Sequence, residues 1–148
     1  MNEAKLKFLD GVKLFNEDLY WDSIEAFQES LSDGLEDRYV DDCFLNIAIC
    51  YMQLNLFNEA KDNFLKAIDA TKNSEDRIDF EGPIFGKTSD RAKLGLIRVS
   101  LANKDIAVAE ILLKELESSE SFVEIDDKKV SMYELAVSEL KLAKEKYL

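Results

Sequence analysis

The residue types best suited to chemistry stand in the stretch Gly82-Pro83-Ile84-Phe85-Gly86-Lys87-Thr88, because Gly-Lys-Thr before a helix is how a phosphate-binding loop ends. Such a loop needs four residues between its glycines, so that successive backbone N–H groups point at the phosphate, and here there are three. It also follows a buried strand, whereas Arg77, Asp79 and Glu81 interrupt the preceding residues. We therefore expect an ordinary loop and a helix start. A nucleotide-dependent enzyme, the least favoured hypothesis, would depend on Lys87 and Thr88.

Other combinations for catalysis or metal binding are poorly represented. The chain has no histidine, and Cys43 and Cys50 are seven positions apart on one predicted helix. That spacing separates them by roughly 10 Å along the axis, which is too far for a disulfide. The pairs Asp41-Asp42 and Asp126-Asp127 fall at predicted helix starts, where the helix dipole favours negative charge. We predict no enzyme activity, no cofactor and no metal site.

Size and composition indicate one helical domain. The 148 residues are 47% apolar and include 5 Gly and 1 Pro, fewer than a protein of strands and tight turns needs. The formal charge of -12 repels nucleic-acid phosphates and anionic lipid. The first residues do not resemble a signal peptide, and no stretch is apolar enough to span a membrane. We expect a cytoplasmic protein that binds neither nucleic acid nor membrane.

The apolar spacing from Phe44 to Ile68 predicts two antiparallel helices that share one turn. The residues at helical intervals are Phe44, Ile47, Ala48 and Tyr51 before the turn at Asn55, and Phe57, Ala60, Phe64, Ala67 and Ile68 after it. Helices approach closely where one side of the contact is small, as it is at Ala48 and Ala60. These alanine and aromatic positions match most of the pattern of a tetratricopeptide repeat, which the stretch therefore resembles.

The same pattern recurs thirty-seven residues earlier, and such a period is typical of a helical solenoid. The matched residues are Gly11, Leu14, Asp18, Tyr20, Ser23, Phe27 and Ser30. We predict an all-α solenoid of about three helix pairs that resemble this repeat, plus a C-terminal capping helix. The predicted segments are repeat 1 at about 2–33, repeat 2 at about 37–72, an insertion or loop at 73–88, a divergent repeat 3 at about 89–118 and the capping helix at 127–147.

Helix bounds follow from the same periodicity and from capping residues. Repeat 1 is predicted to contain helices Glu3–Asn16 and Trp21–Ser32, and the third pair Ser89–Ala102 and Asp105–Ser118. Ser89 and Asp90 are the N-cap candidates of the third pair. Its small position falls on Ala107 or Ala109, while Gly95 fits only if the first helix is longer.

The resemblance implies a binding scaffold, because in this family the first helix of each repeat lines a concave groove. The corresponding residues here are Phe8, Leu9, Val12, Leu45, Asn46, Ile49 and Met52. Two interpretations stay open: these side chains pack on neighbouring helices, or they bind an amphipathic helix or an extended apolar peptide. The family's clamp for an acidic chaperone tail matches at Asn46 but not at Phe8 and Val12, which replace a lysine and an asparagine. Chaperone-tail binding is therefore disfavoured.

By this resemblance we expect a non-enzymatic adaptor or chaperone-like module that binds a peptide or helix of a basic or amphipathic partner protein. One alternative is an architectural subunit of a homo- or hetero-oligomer. Another is a bacterial secretion chaperone of the tetratricopeptide type, which small acidic helical-repeat chains also resemble.

Overall fold

The computed structural model describes residues 2–72, 78–81 and 84–147, with the backbone alone for 78–81, 84 and 85. Helices dominate this part of the chain, as predicted, and a small sheet accompanies them. The helices are α1 (Glu3–Asn16), α2 (Tyr20–Ser32), α3 (Asp37–Gln53), α4 (Phe57–Ala70), α5 (Thr88–Ala102), α6 (Ile106–Glu115) and α7 (Met132–Tyr147). The strands are β1 (Ile78–Glu81), β2 (Ile84–Lys87), β3 (Phe122–Ile125) and β4 (Lys128–Ser131).

The chain divides into two compact units, unit 1 at Met1–Glu75 and unit 2 at Asp76–Leu148. Unit 1 holds two helix pairs, α1 with α2 and α3 with α4. Helix α2 packs on α3, and α1 also contacts α3. Helix α1 has its predicted bounds and begins after Asn2, whose side chain accepts a hydrogen bond from the Lys5 amide at 2.8 Å.

Small residues allow the paired helices of unit 1 to touch. Gly11 lies directly against the buried ring of Phe27, and the Ser23 hydroxyl donates to the Gly11 carbonyl at 2.7 Å. In the second pair Ala48 and Ala60 are fully buried, and Phe64 is only 1% exposed. The contact at Gly11 and the burial of Ala48 and Ala60 agree with the prediction that small side chains mark these crossings.

One turn geometry joins the helices of all three pairs. Asp18, Asn55 and Lys104 take the left-handed conformation with φ of 62°, 60° and 61°. The same backbone hydrogen bond closes each turn: Leu19 to Leu14, Leu56 to Tyr51 and Asp105 to Ser100, each from amide to carbonyl. Aligning the turns sets the third pair in register and puts Ala109 in the place of Ala60 and Ile97 in the place of Ala48. Ala109 is fully buried, as a small crossing residue should be, and Gly95 is out of register.

Unit 2 combines the pair α5 and α6 with α7 and an antiparallel sheet of order β1-β2-β3-β4. The strand partners include Phe80 with Phe85, Ile84 with Val123, and Glu124 with Lys129. The buried core of helices contains Leu94, Ile97, Ala109, Leu116, Met132, Ala136 and Leu140. No helix among the described residues is long and apolar enough to cross a membrane.

Several local predictions differ from the structure. The expected loop at 73–88 contains β1 and β2, while 73–77 and 82–83 lie outside the described residues. Asp126 and Asp127 do not start a helix: they form the turn between β3 and β4, with φ of 51° and 63°. Two positive φ values in a two-residue loop suit the right-handed twist of a hairpin. The last helix therefore begins at Met132, after β4.

Helices α3 and α5 also begin at residues other than those that the sequence predicted. Helix α3 begins at Asp37, so Asp41 and Asp42 lie in its second turn. Helix α5 begins at Thr88, and its N-cap residue Lys87 makes no side-chain capping bond. The helix dipole therefore stabilises Asp41 and Asp42 less than their expected place at a helix start implies, because its effect falls off beyond the first turn.

Candidate functional site

The Gly-Lys-Thr stretch does not form a phosphate-binding loop in the described backbone. Gly86 and Lys87 belong to β2 and pair with Asp79 and Ile78 of β1. A Cβ on Gly86 would lie 2.5 Å from Oγ of Ser121, so the glycine is there to let the strand pass this side chain. The Lys87 amide donates to the same Ser121 hydroxyl at 3.3 Å rather than pointing at an anion site. The geometry removes the structural basis for the nucleotide hypothesis.

The predicted groove residues of α1 and α3 fall into two sets. Phe8, Leu45 and Asn46 are buried, with 8%, 0% and 6% of their surfaces exposed. Phe8 belongs to the core of unit 1, because its ring centroid lies 5.6 Å from that of Phe27 and 5.8 Å from that of Tyr39. The spacing of Phe8 and Leu45 fitted a groove or a core, and their burial favours the core.

The second set keeps part of its surface in solvent. Leu9 is 43% exposed, and Val12, Ile49 and Met52 are half-buried. Leu9 and Val12 are three positions apart on α1, as Ile49 and Met52 are on α3, so each pair shares a helix face. Val12 and Ile49 also hold equivalent places, since each stands six residues before its left-handed turn residue. We call these four side chains the α1–α3 face.

No family model and no curated protein matches the chain. Among solved structures, it is similar to the first tetratricopeptide-repeat domain of Spaghetti (RPAP3) bound to the HSP90 peptide SRMEEVD. The TM-score is 0.64 at 16% identity, over 97% of this chain and 94% of that one. It is also similar to the Hsp90 co-chaperone Cns1 from Saccharomyces cerevisiae, with a TM-score of 0.72 at 12% identity, over 99% of this chain and 42% of Cns1. This is a tetratricopeptide-repeat fold.

The repeat fold confirms the resemblance that the sequence suggested from Ala48, Ala60 and Phe64. It also gives a reference for the residues of the α1–α3 face, because α1 and α3 are the first helices of their repeats. The sheet and the shared turn at Lys104 were not apparent from the sequence pattern of the repeat. Alignment by left-handed turn residues could have found the third pair, although a lysine is an unusual residue for that conformation.

Asn46 differs from the other predicted groove residues in having a buried side-chain oxygen. Its side-chain oxygen is buried and accepts no hydrogen bond from the part of the chain that the structure describes. A buried acceptor without a donor costs about 1–3 kcal/mol, which a donor from a bound molecule would recover. Asn46 is therefore buried together with Phe8 and Leu45, and its oxygen lacks, among the described residues, the donor that a buried polar atom usually has.

The electrostatics of the two units differ. Unit 1 contains sixteen Asp and Glu against seven Lys and Arg, whereas unit 2 contains fifteen against twelve. Lys7 and Arg38, two of the seven basic residues of unit 1, interact with neighbouring side chains. Lys7 lies 2.7 Å from Asp33, and this hydrogen bond raises the pKa of Lys7. Arg38 lies 4.6 Å from the ring centroid of Tyr39. Most of the negative charge of the molecule therefore belongs to the unit that carries the α1–α3 face.

A polar cavity of about 420 Å³ lies beside the first turn of α5 in unit 2. There the Asp90 carboxylate accepts hydrogen bonds from the hydroxyls of Ser119 at 2.6 Å and Ser121 at 2.8 Å. Asp90 was predicted to cap α5, but its role is to fix the segment between α6 and β3 against α5. The run Ser118 to Ser121 was the available sequence signal, since clustered hydroxyls before a strand suggest a hydrogen-bonded loop.

Proposed function

We propose that this chain is a non-enzymatic protein-binding module that takes a peptide or helix of a partner protein on the α1–α3 face. The observation that carries the proposal is the fold, because the RPAP3 domain that shares it was solved with a bound peptide. The partly exposed stripe of Leu9, Val12, Ile49 and Met52 offers an apolar surface on the first helices of two repeats.

Apolar contacts should supply most of the affinity. Burying one side chain such as Ile49 against a ligand is worth about 1.5–3 kcal/mol. An exposed ion pair usually gives under about 1 kcal/mol. Asn46 would add orientation by accepting a ligand N–H group, which recovers the cost of its buried oxygen. Phe8 and Leu45 would support the face from the core without touching the ligand.

Charge selects among partners. The excess of carboxylates in unit 1 attracts a segment with basic residues around its apolar side chains and repels an acidic tail. We therefore propose a basic amphipathic segment for this face rather than an acidic peptide of the kind bound by RPAP3. The same charge repels nucleic acid and anionic membranes, which we do not propose as partners.

Site-specific photo-crosslinking tests the proposal. A benzophenone amino acid at Met52 should capture the partner in the source cell. The same group at Leu65, which is 47% exposed on the second helix of repeat 2, should not. Mass spectrometry of the Met52 adduct then identifies the protein and the segment. Equal capture from both positions would contradict a specific α1–α3 face.

A matched pair of variants measures the energetic role of the face once the partner is known. Ile49→Asp should lower the affinity at least about tenfold, from the loss of one buried side chain. Leu65→Asp adds the same charge elsewhere and should leave binding nearly unchanged. Circular dichroism must show that both variants are folded, since an unfolded Ile49→Asp would instead assign this residue to the core.

An architectural subunit is the second candidate, and exposed apolar side chains favour it. Trp21 is 61% exposed, and its ring stands nearly perpendicular to that of Tyr51 at a centroid distance of 6.5 Å. Such a side chain often marks a protein contact. Light scattering across concentration separates the candidates, because a constant monomer mass speaks against a homo-oligomer. Identification as a secretion-system chaperone would require that the captured partner be a secreted protein.

A further inference from the structure

A cleft of about 300 Å³ lies between α5 and α7 within unit 2. Its apolar part is formed by Leu101 and Ala102 of α5 and by Leu142 and Ala143 of α7. Leu142 is 65% exposed, the largest value among the big apolar side chains of the described residues. A large exposed apolar group beside an open cleft is a place where a partner side chain can be buried.

The charged groups of this cleft are mainly cations. Arg98 makes a two-pronged ion pair with Glu139, at 3.0 Å from Nε and 2.9 Å from Nη2 to Oε1, so the carboxylate of the cleft is already neutralised. The ammonium groups of Lys104 and Lys146 lie 5.2 Å and 5.5 Å from the ring centroid of Tyr147. Neither lysine has a carboxylate within ion-pair distance among the described residues.

Around Tyr147 the surface is therefore positively charged, in contrast to the negative net charge of the chain. The whole chain has a formal charge of -12, yet Lys146 lines the cleft together with Tyr147 and the exposed Leu142, and Lys104 lies beside the same Tyr147 ring. A basic ligand would be repelled here, whereas a carboxylate could pair with Lys104 or Lys146 while an apolar neighbour contacts Leu142. A second copy of the chain is a poor occupant, because two molecules of this net charge repel each other.

We propose that the α5–α7 cleft binds an acidic amphipathic segment of a partner protein, with one large apolar side chain against Leu142 and flanking carboxylates on Lys104 and Lys146. The site lies in unit 2 and has the opposite charge preference to the α1–α3 face of unit 1. It goes beyond the proposed function, and failure of either site leaves the other testable.

The test uses a fluorescent peptide in which Leu-Phe is flanked on both sides by Asp and Glu. Two control peptides replace the acidic residues by Lys and Arg, or replace Leu-Phe by Ser-Ser. Binding to the full chain is followed by anisotropy, and amide resonances of the isotope-labelled protein map the contact. The acidic peptide should shift resonances of α5 and α7 around Leu101 and Leu142, and both control peptides should bind at least about tenfold more weakly.

Matched variants locate the site. Leu142→Ser and Lys146→Glu should each weaken binding of the acidic peptide by about fivefold or more. The controls are Ile111→Ser, because Ile111 on α6 is 64% exposed, and Lys141→Glu on α7 outside the cleft lining. Both controls should bind like the parent, and all four variants should keep the parent circular dichroism spectrum.

Three results would overturn the inference. The first is the absence of shifts in α5 and α7 at millimolar acidic peptide. The second is equal or tighter binding of the basic peptide. The third is a change in the same resonances with protein concentration alone, which would assign the cleft to self-association.

Discussion

Replacing Gly11 by alanine tests the close packing of α1 and α2, because it improves helix propensity but crowds the Phe27 ring. In an exposed helix, replacing glycine by alanine stabilises by about 0.8–1.0 kcal/mol. At Gly11, however, the added Cβ would lie 2.7 Å from Cδ1 and from Cε1 of Phe27. Carbon atoms pack best at roughly 3.5–4.0 Å, so the ring must move or the helices must separate.

Phe27 has little room to move. Its side chain is fully buried, and its ring centroid lies 5.6 Å from that of Phe8. Overpacking a site of this kind costs about 1–3 kcal/mol, which outweighs the gain in helix propensity. Three atoms of the Phe27 ring would lie within 3.0 Å of the new Cβ, which puts the overpacking cost in the upper part of its range. After the gain in helix propensity is subtracted, we expect Gly11→Ala to lower the free energy of unfolding by about 1–2 kcal/mol.

Urea unfolding followed by circular dichroism measures this change. In the double variant Gly11→Ala/Phe27→Leu, the smaller side chain leaves space for the new methyl group. The double variant should therefore be more stable than the sum of the single changes predicts, by more than about 0.5 kcal/mol. Gly34→Ala is the control: Gly34 has a φ of +86° but no neighbour within 4 Å of an added Cβ, so its cost should add to that of Phe27→Leu. An unchanged or stabilised Gly11→Ala would refute the packing argument.

Three further changes test other parts of the fold. Ala60→Leu should destabilise unit 1 by about 1–3 kcal/mol, because Ala60 is fully buried at the α3–α4 crossing; a parent-like midpoint in urea would contradict this. Burial raises the pKa of the Cys43 thiol to about 12 from 9.0, so the unfolded chain loses this proton first as the pH rises. The free energy of unfolding should then fall above pH 9.0, and Cys43→Ala should lack that component. Asp90→Ala should cost about 1.5–3 kcal/mol by removing the acceptor of two hydroxyls, whereas Asp90→Asn, which keeps an oxygen, should cost less; equal losses would argue against the hydrogen bonds to Ser119 and Ser121.

The helices of unit 1 could be predicted from sequence because several independent signals agree there. Apolar spacing, small crossing residues and a turn residue suited to positive φ all point to the same two helix pairs. Asn55 tolerates the left-handed conformation, and the structure places it there at φ 60°. When local preference and long-range packing favour one conformation, a sequence pattern suffices to find it.

The sheet of unit 2 could not be found in this way. Each strand has only four residues, too few for an alternating pattern to stand out. Asp126-Asp127 is compatible with a helix start and with a two-residue hairpin loop, and only its pairing of Phe122–Ile125 with Lys128–Ser131 decides for the loop. A helix dipole would favour two carboxylates at a helix start, but here they form a hairpin loop that needs two positive φ values.

For the candidate site, the sequence indicates which residues share a helix but not which of them are exposed. Helical spacing put Phe8, Leu9 and Val12 on neighbouring positions of one helix, yet it cannot say which neighbour covers each side chain. Phe8 is buried because the rings of Phe27 and Tyr39 reach it from two other helices, while Leu9, one position further, stays 43% exposed. Exposure depends on three-dimensional neighbours that lie far away in sequence.

Ile97 explains why the third helix pair is so divergent. It stands where the second pair has Ala48, and a branched side chain at a helix crossing keeps the two backbones further apart than an alanine does. The side chains of Ile97 and Leu94 are nevertheless buried, because Met132, Ala136 and Leu140 of α7 complete their core. Helix α7 thus covers the larger side chains that α5 carries beside its crossing with α6. Where α7 passes α5, it also forms the cleft with the exposed Leu142, so the departure from the repeat pattern and the second candidate binding surface have a common origin.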